Sequence, residues 1–273
     1  MIVNHEHRFA FVHIPKCAGT SVRTSLQVFD SLKGQFTDRV SRHPVLGELD
    51  CVHIPLFILR DYFEAEFEAI RDYWSFAVIR DPFSRFASSI SQRLRMYSAL
   101  PIQKRSLREI ETYIDESICY LSQRDAGAQL LPPEYIHFQR QTDYVQLEGE
   151  QVVDALYTVD NIGSLLNEVS QRVGRSVTSA KEPVAARANR TVVFRNDLLR
   201  HIFVNARPLT NQIGKALPEG TKQLIRDRVY VPRDQRLKKL FATDRVLEFI
   251  NEYYERDIAL YQKISERERT ESL

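Results

Sequence analysis

Little in this sequence marks an unusual environment. Cysteine is scarce: Cys17, Cys51 and Cys119 are the three present. Their number is odd and none forms a CxxC pair, so they argue for neither a disulfide framework nor a zinc site, and they fit a reducing compartment. An excess of one charge is lacking too. The 38 Lys and Arg against 36 Asp and Glu leave a formal charge of +2, too close to balance to argue for nucleic acid. No apolar run approaches the ~20 residues of a membrane span. His5, Glu6, His7 and Arg8 interrupt the apolar core that a signal peptide would need. Repeats, low-complexity tracts and long Gly/Ser linkers are absent. With 273 residues and 43% hydrophobic content, the chain reads as an ordinary globular protein, expected as one domain over 1–273 with a charged, frayed tail at 266–273.

What is present begins at residue 8. Arg8 to Ile14 is a short apolar run with aromatic and β-branched residues, suited to a buried strand, and Pro15 stops it. Lys16-Cys17-Ala18-Gly19-Thr20-Ser21 follows. Its small residues let a ligand approach the backbone closely. Thr20 or Ser21 can cap a helix that runs to about Leu32. Such a loop aims N–H groups and the positive end of a helix dipole at one spot, which favours phosphate or sulfate, and Lys16 adds a full charge. A plain strand, turn and helix with a surface lysine fits the local pattern equally well. The loop is not a Walker A motif, which places its lysine after the second glycine; Lys16 lies three residues before Gly19.

Further along, Leu49 to His53 reads as a short strand and Leu56 to about Asp72 as partly helical. Trp74 to Ile79 is a second apolar strand. Asp81 and Pro82 make a good N-cap and first-turn pair for a helix reaching about Tyr97. Ser106 to Arg124 shows helical periodicity in Leu107, Ile110, Ile114, Ile118 and Leu121. Ile136 to Val145 reads as loop then strand, and Val152 to Val159 as strand. A helix from Asn161 stops at Gly174. Segment 175–190 reads as a polar, mobile loop with Lys181, Arg187 and Arg190, and helices are expected at 196–204, 220–230 and 243–264. Strands alternating with helices imply a mostly parallel central sheet covered on both faces.

Two segments share one design of strand, polar turn and helix: His13-Ile14-Pro15-Lys16-Cys17-Ala18-Gly19-Thr20-Ser21, and Val78-Ile79-Arg80-Asp81-Pro82-Phe83-Ser84-Arg85-Phe86-Ala87-Ser88. Together they resemble the two nucleotide-binding segments of sulfotransferases that use 3'-phosphoadenosine 5'-phosphosulfate (PAPS), most closely the carbohydrate-type, family 2-like branch. His137-Phe138-Gln139-Arg140-Gln141 is similar to the family's H-x-x-P-Q stretch, with Arg140 where Pro is usual. Weaker echoes occur at 188–191 and at 254–261. The resemblance implies an α/β, P-loop-like three-layer fold.

It also implies roles. The loop Lys16, Cys17, Ala18, Gly19, Thr20 and Ser21 would wrap the 5'-phosphosulfate, with Lys16 near the bridging oxygen. Arg80 and Ser88 would hold the 3'-phosphate. These residue types suit the chemistry: sulfuryl transfer is an in-line displacement in which negative charge builds on the leaving phosphate, and fixed donors and cations there lower the barrier. An acceptor hydroxyl must lose its proton, and relatives often carry a histidine base near the place of His53. Glu48, Asp50 and His137 are alternatives for the base. Asp81 and Arg85, four apart on one helix, are expected to form a structural ion pair. Cys17, at a helix N-terminus, is a candidate reactive thiol without a catalytic role. The chemistry requires no metal. The implied acceptor is a hydroxyl or amine, on a carbohydrate in this branch. A P-loop-type nucleotide kinase and a non-catalytic nucleotide-binding module are the rival readings. Because the loop begins at residue 13, no room is left for an anchor and stem, so a cytoplasmic enzyme is expected.

Overall fold

Apolar segments near the start of the chain build a sheet, and the polar turns that follow them carry the chemistry. The computed structural model describes residues 1–37, 39–98, 105–124, 129–178, 192–194, 230–232, 237 and 239–271. In chain order the elements are β1 (Ile2–Asn4), β2 (Phe9–Val12), α1 (Gly19–Leu26), β3 (Ser41–His43), β4 (Gly47–Leu49), α2 (Leu56–Tyr62), α3 (Glu64–Asp72), β5 (Trp74–Ile79), α4 (Pro82–Tyr97) and α5 (Leu107–Ser122). Then come β6 (Gln146–Leu147), β7 (Glu150–Gln151), β8 (Ala155–Thr158), α6 (Ile162–Val173), β9 (Val192–Phe194), β10 (Tyr230–Pro232), α7 (Asp244–Tyr253) and α8 (Glu255–Glu271).

The chain falls into two compact units. The first comprises Met1–Ser89, Arg124–Glu182 and Phe249–Leu273. It holds a four-stranded sheet in the order β1-β2-β5-β8. β1 pairs antiparallel with β2, while β2–β5 and β5–β8 are parallel, with Phe11 opposite Phe76 and Phe76 opposite Ala155. The parallel pairs explain the unbroken apolar character of β2 and β5, since such strands are buried on both faces. Phe9, Phe11 and Phe76 are fully buried, with ring centroids 5.6 to 6.0 Å apart across the strands. Helix α3 packs on β1, β2 and β5, while α6 and α8 pack on β8. The second unit comprises Ile90–Gln123 and Pro183–Glu248. There Ser106 and Glu109 form a reciprocal capping box at the start of α5. Arg93 donates to Ser117 Oγ (3.1 Å) and lies over the Tyr113 ring.

Several segments differ from expectation. β4 ends at Leu49, and the chain turns at Asp50, whose Oδ1 accepts the Val52 N–H (3.1 Å), so no strand reaches His53. The helical stretch 56–72 breaks at Phe63, which lies outside helical geometry (φ −139°, ψ 59°). Segment 136–145 forms two 3-10 turns, Ile136–Phe138 and Thr142–Tyr144, instead of a strand. The N–H groups of Gln141 and Thr142 are taken by Asp257 and are therefore lost to any ladder. The closing helix is interrupted at Tyr254 and then continues to Glu271. The tail expected to fray from residue 266 is helical that far, because Glu268 is buried and accepts from Thr158 N (2.9 Å) and Oγ1 (2.7 Å). Gly174 ends α6 in the left-handed conformation, as its composition foretells. The expected loop around Lys181, Arg187 and Arg190, the echo at 188–191, and the helices at 196–204 and 220–229 lie outside the described residues. Tyr230 begins β10.

Candidate active site

The site is built where β2 and β5 end. These neighbours run parallel, with Val12 opposite Ala77, so the turns after them leave the same edge of the sheet side by side. Ligands in open α/β sheets bind at such carboxyl ends. After β2, Lys16 (φ 67°) and Ala18 (φ 57°) both adopt left-handed backbone, uncommon for residues with a Cβ and found where loops are shaped for a ligand. Ala18 is the N-cap of α1, and no side chain caps the helix, so the caps expected from Thr20 and Ser21 are not made. The first turn of α1 thus lacks a side-chain acceptor, and the Ser21 N–H donates to the Ala18 carbonyl (3.0 Å). Thr20 is exposed and Ser21 half-buried in that turn.

Gly19 serves a different purpose from the one its size suggests. A Cβ there would lie 2.1 Å from Cδ2 of the His13 ring. The glycine makes room for a buried histidine inside the fold. His13 belongs to a group of three. The His13 and His53 rings lie 4.5 Å apart, and His53 and His137 lie 5.5 Å apart. His53 Nδ1 lies 3.2 Å from the His13 carbonyl, which can only accept, so the proton sits on Nδ1 and the lone pair on Nε2. The His53 carbonyl in turn accepts from Tyr144 (3.3 Å). The Nδ1 atoms of His13 and His137 are sealed without partners; Nε2 of His53 is not. Burial pushes the His53 pKa down to about 3 and those of His13 and His137 well below the usual value. Among the described residues, no group of three or more His, Cys, Asp or Glu has the geometry to hold a metal ion.

The other expected residues sort themselves by position. Arg80, just past β5, is half-buried and donates from Nη1 to the Lys16 carbonyl (3.3 Å), so the two turns meet. Ser88 is half-buried on α4. It is its neighbour Ser89 that turns inward, donating to the His137 carbonyl (2.6 Å). Glu48 is exposed on β4, whereas Asp50 is buried, shapes the turn before His53 and has its carboxyl pushed up to about 6 by burial. His137 Nε2 lies 3.5 Å from Arg39. Cys17 is buried, and burial pushes its thiol up to about 12, overriding the helix N-terminus. Both effects oppose the reactive thiol expected there.

The expected Asp81–Arg85 pair is replaced by something more extensive. Asp81 accepts from Ser84 N (2.8 Å) and caps α4. Arg85 is fully buried and pairs with Asp257 of α8 at 3.7 Å. It also donates to the carbonyls of Pro15 (3.2 Å), His137 (3.4 Å) and Gln139. Arg85, Gln141 and Asp257 were not legible as site residues. Arg85 stood within the second motif, yet its partners lie 52 to 172 positions away in the chain, and Asp257 sits in a run of ordinary helical charges. Arg140, where Pro is usual, donates to the Tyr253 carbonyl (3.0 Å) and stacks on the Tyr253 ring.

The uncapped start of α1, Lys16 just before it, and Arg80 bonded to the Lys16 carbonyl thus lie together where β2 and β5 end. Comparison with protein families matches residues 1–151 to the Sulfotransferase family. The match covers more than half of the chain and includes both turns, His53 and the His137–Gln141 stretch. The chain belongs to the sulfotransferase family and is an enzyme that transfers a sulfuryl group. No curated protein and no solved structure matches it.

Proposed function

We propose that this sulfotransferase draws its sulfuryl group from PAPS and transfers it to a hydroxyl or amine on a carbohydrate or glycoconjugate. The observation that carries the reading is the uncapped N-terminus of α1 lying beside Lys16, with Arg80 reaching over to the same loop. The donor set fits the group: N–H donors, two hydroxyls and a lysine for the phosphosulfate end, and a permanently charged planar cation, Arg80, for the 3'-phosphate. Ser88 assists Arg80. The bound donor supplies an activated S–O bond. The acceptor oxygen or nitrogen forms a new bond to sulfur as the bond from sulfur to the 5'-phosphate oxygen breaks. Lys16 and the α1 N–H groups stabilise the charge that grows on the departing phosphate. His53 Nε2 takes the acceptor's proton. We read the fold as P-loop-like and three-layered, residues 1–273 as one sulfotransferase domain, and the setting as cytoplasmic.

The test is thermal unfolding with nucleotides. 3',5'-Adenosine bisphosphate, the spent donor, is expected to raise the melting temperature by several degrees at about 100 times its dissociation constant, a stabilisation of ~2.7 kcal/mol. ATP with magnesium is expected to do far less. Equal shifts, or none with the bisphosphate, would overturn the reading.

A further inference from the structure

The hydrogen bonds around the two turns converge on one side-chain amide. Gln141 Oε1 accepts from Arg80 N (2.8 Å) and from Cys17 Sγ (3.2 Å), while its Nε2 donates to the Arg80 carbonyl (2.9 Å). The amide therefore pairs with both backbone groups of Arg80 as a neighbouring strand would, one residue past the end of β5. With the same oxygen it holds the middle of the loop that follows β2. Gln141 is 1% exposed, and its own backbone N–H is fixed by Asp257 Oδ2 (2.8 Å). Arg85, paired with Asp257, anchors the Pro15 carbonyl two residues before Cys17.

We propose that Gln141 is a positioning residue that sets the separation between the Lys16–Ser21 loop and the Arg80 guanidinium, with Asp257 and Arg85 holding it in place. The proposal rests on the reading of both turns as donor contacts. A donor with charges at two ends has a fixed span, so the protein gains full benefit from its two cationic points only when their spacing is also fixed. The Gln141 amide is the hydrogen-bond partner that the Arg80 backbone and the Cys17 side chain share. Removing it leaves the Arg80 guanidinium itself, through Nη1 to the Lys16 carbonyl (3.3 Å), as the direct hydrogen bond between the turns, and the backbone that carries that guanidinium loses its side-chain anchor.

The readout is the ratio of affinities for 3',5'-adenosine bisphosphate and adenosine 5'-monophosphate, measured by calorimetry on the full chain. Partial unfolding weakens both ligands by the same factor and leaves the ratio alone. Mispositioning of Arg80 weakens only the ligand that carries a 3'-phosphate. Gln141→Leu is expected to lower the ratio at least tenfold. Gln141→Glu keeps the acceptor oxygens but loses the donor to the Arg80 carbonyl, and is expected to lower it about threefold; it decides the matter if the leucine variant does not fold. A ratio equal to that of the unaltered protein in the folded variants would overturn the role of Gln141 alone. Failure of the unaltered protein to bind the bisphosphate would overturn the donor reading, and this proposal with it.

Discussion

His53, the proposed base, is uncharged at neutral pH. Burial holds its pKa near 3, so at neutral pH the imidazole has a lone pair on Nε2 and its proton on Nδ1, toward the His13 carbonyl. A proton arriving there is costly in an empty, desolvated site, and an adjacent anionic donor offsets that cost. His53→Ala is expected to lower kcat by about 100-fold or more, the lower range for general base catalysis, with bisphosphate affinity changed less than about threefold. In the unaltered enzyme kcat/KM should show no acid limb at the usual histidine pKa of ~6.5, since the free enzyme's histidine is already neutral there. Steady-state kinetics with a calorimetric binding curve check both, and an undiminished kcat would remove His53 from the mechanism. Gly19 supports the same residue from below. In Gly19→Ala the new methyl meets the His13 ring, which cannot leave without moving His53, whose ring it touches. Overpacking of this kind costs ~1–3 kcal/mol. The melting temperature should fall by a few degrees and activity should fall with it.

At the scale of elements, α8 carries more than its composition suggests. Its first turn presents Asp257 to the backbone N–H groups of Gln141 and Thr142 and to Arg85. Its last turns lie along β8, where Arg267 donates to the Leu156 carbonyl (2.7 Å) and Glu268 accepts from Thr158 N. These side chains satisfy polar groups of β8, which among the described residues is the edge strand of its sheet. Glu268→Ala leaves the buried Thr158 N–H without this acceptor, which costs ~1–3 kcal/mol. For a protein of this size that is a fall in melting temperature of several degrees. Bisphosphate affinity should be retained, since the change lies away from the Asp257 end of the helix. A fall in affinity at unchanged stability would contradict this division of labour along α8.

The whole molecule gains its pH dependence from buried groups. His13, His53 and His137 stay neutral when folded but take up protons near pH 6.5 when unfolded. The unfolded chain therefore binds more protons below that pH, and stability falls as the solution is acidified. The amino group of Met1, lowered to about 5 by burial, acts in the same direction between about pH 8 and 5. Asp50 and Asp143, raised to about 6 by burial, act oppositely: folded, they keep protons that the unfolded chain releases near pH 3.8. Three histidines and one amine against two carboxylates leave about two protons in favour of the unfolded state between pH 5 and 6. Stability should fall by roughly 3 kcal/mol per pH unit in that window, read from urea midpoints. A midpoint that rises on acidification would show that the carboxylates dominate.

Local signals in the sequence carry much of this protein. β2, β5, the starts of α4 and α5, and the stop at Gly174 were legible because each rests on an apolar run, a cap or a glycine acting within a few residues. The two turns, and Lys16 and Arg80 within them, were legible for the same reason, since strand, small-residue turn and helix are contiguous. What remained hidden depends on partners far apart in the chain. Nothing near Arg85 in sequence says that it passes over Asp81 for Asp257, because the choice between an exposed pair and a buried one is made by packing. Nothing near Gly19 says that its missing Cβ houses the His13 ring, or near Cys17 that desolvation overrides the helix dipole. The segment 136–145 reads in sequence as loop then strand, and it forms two turns in which Asp257 takes the N–H groups of Gln141 and Thr142. The sequence alone determined where the first strand, small-residue turn and helix lie. Only the tertiary structure decided how that turn is held, because its supports are hydrogen bonds from buried side chains contributed by α4, by the 137–141 turns and by α8.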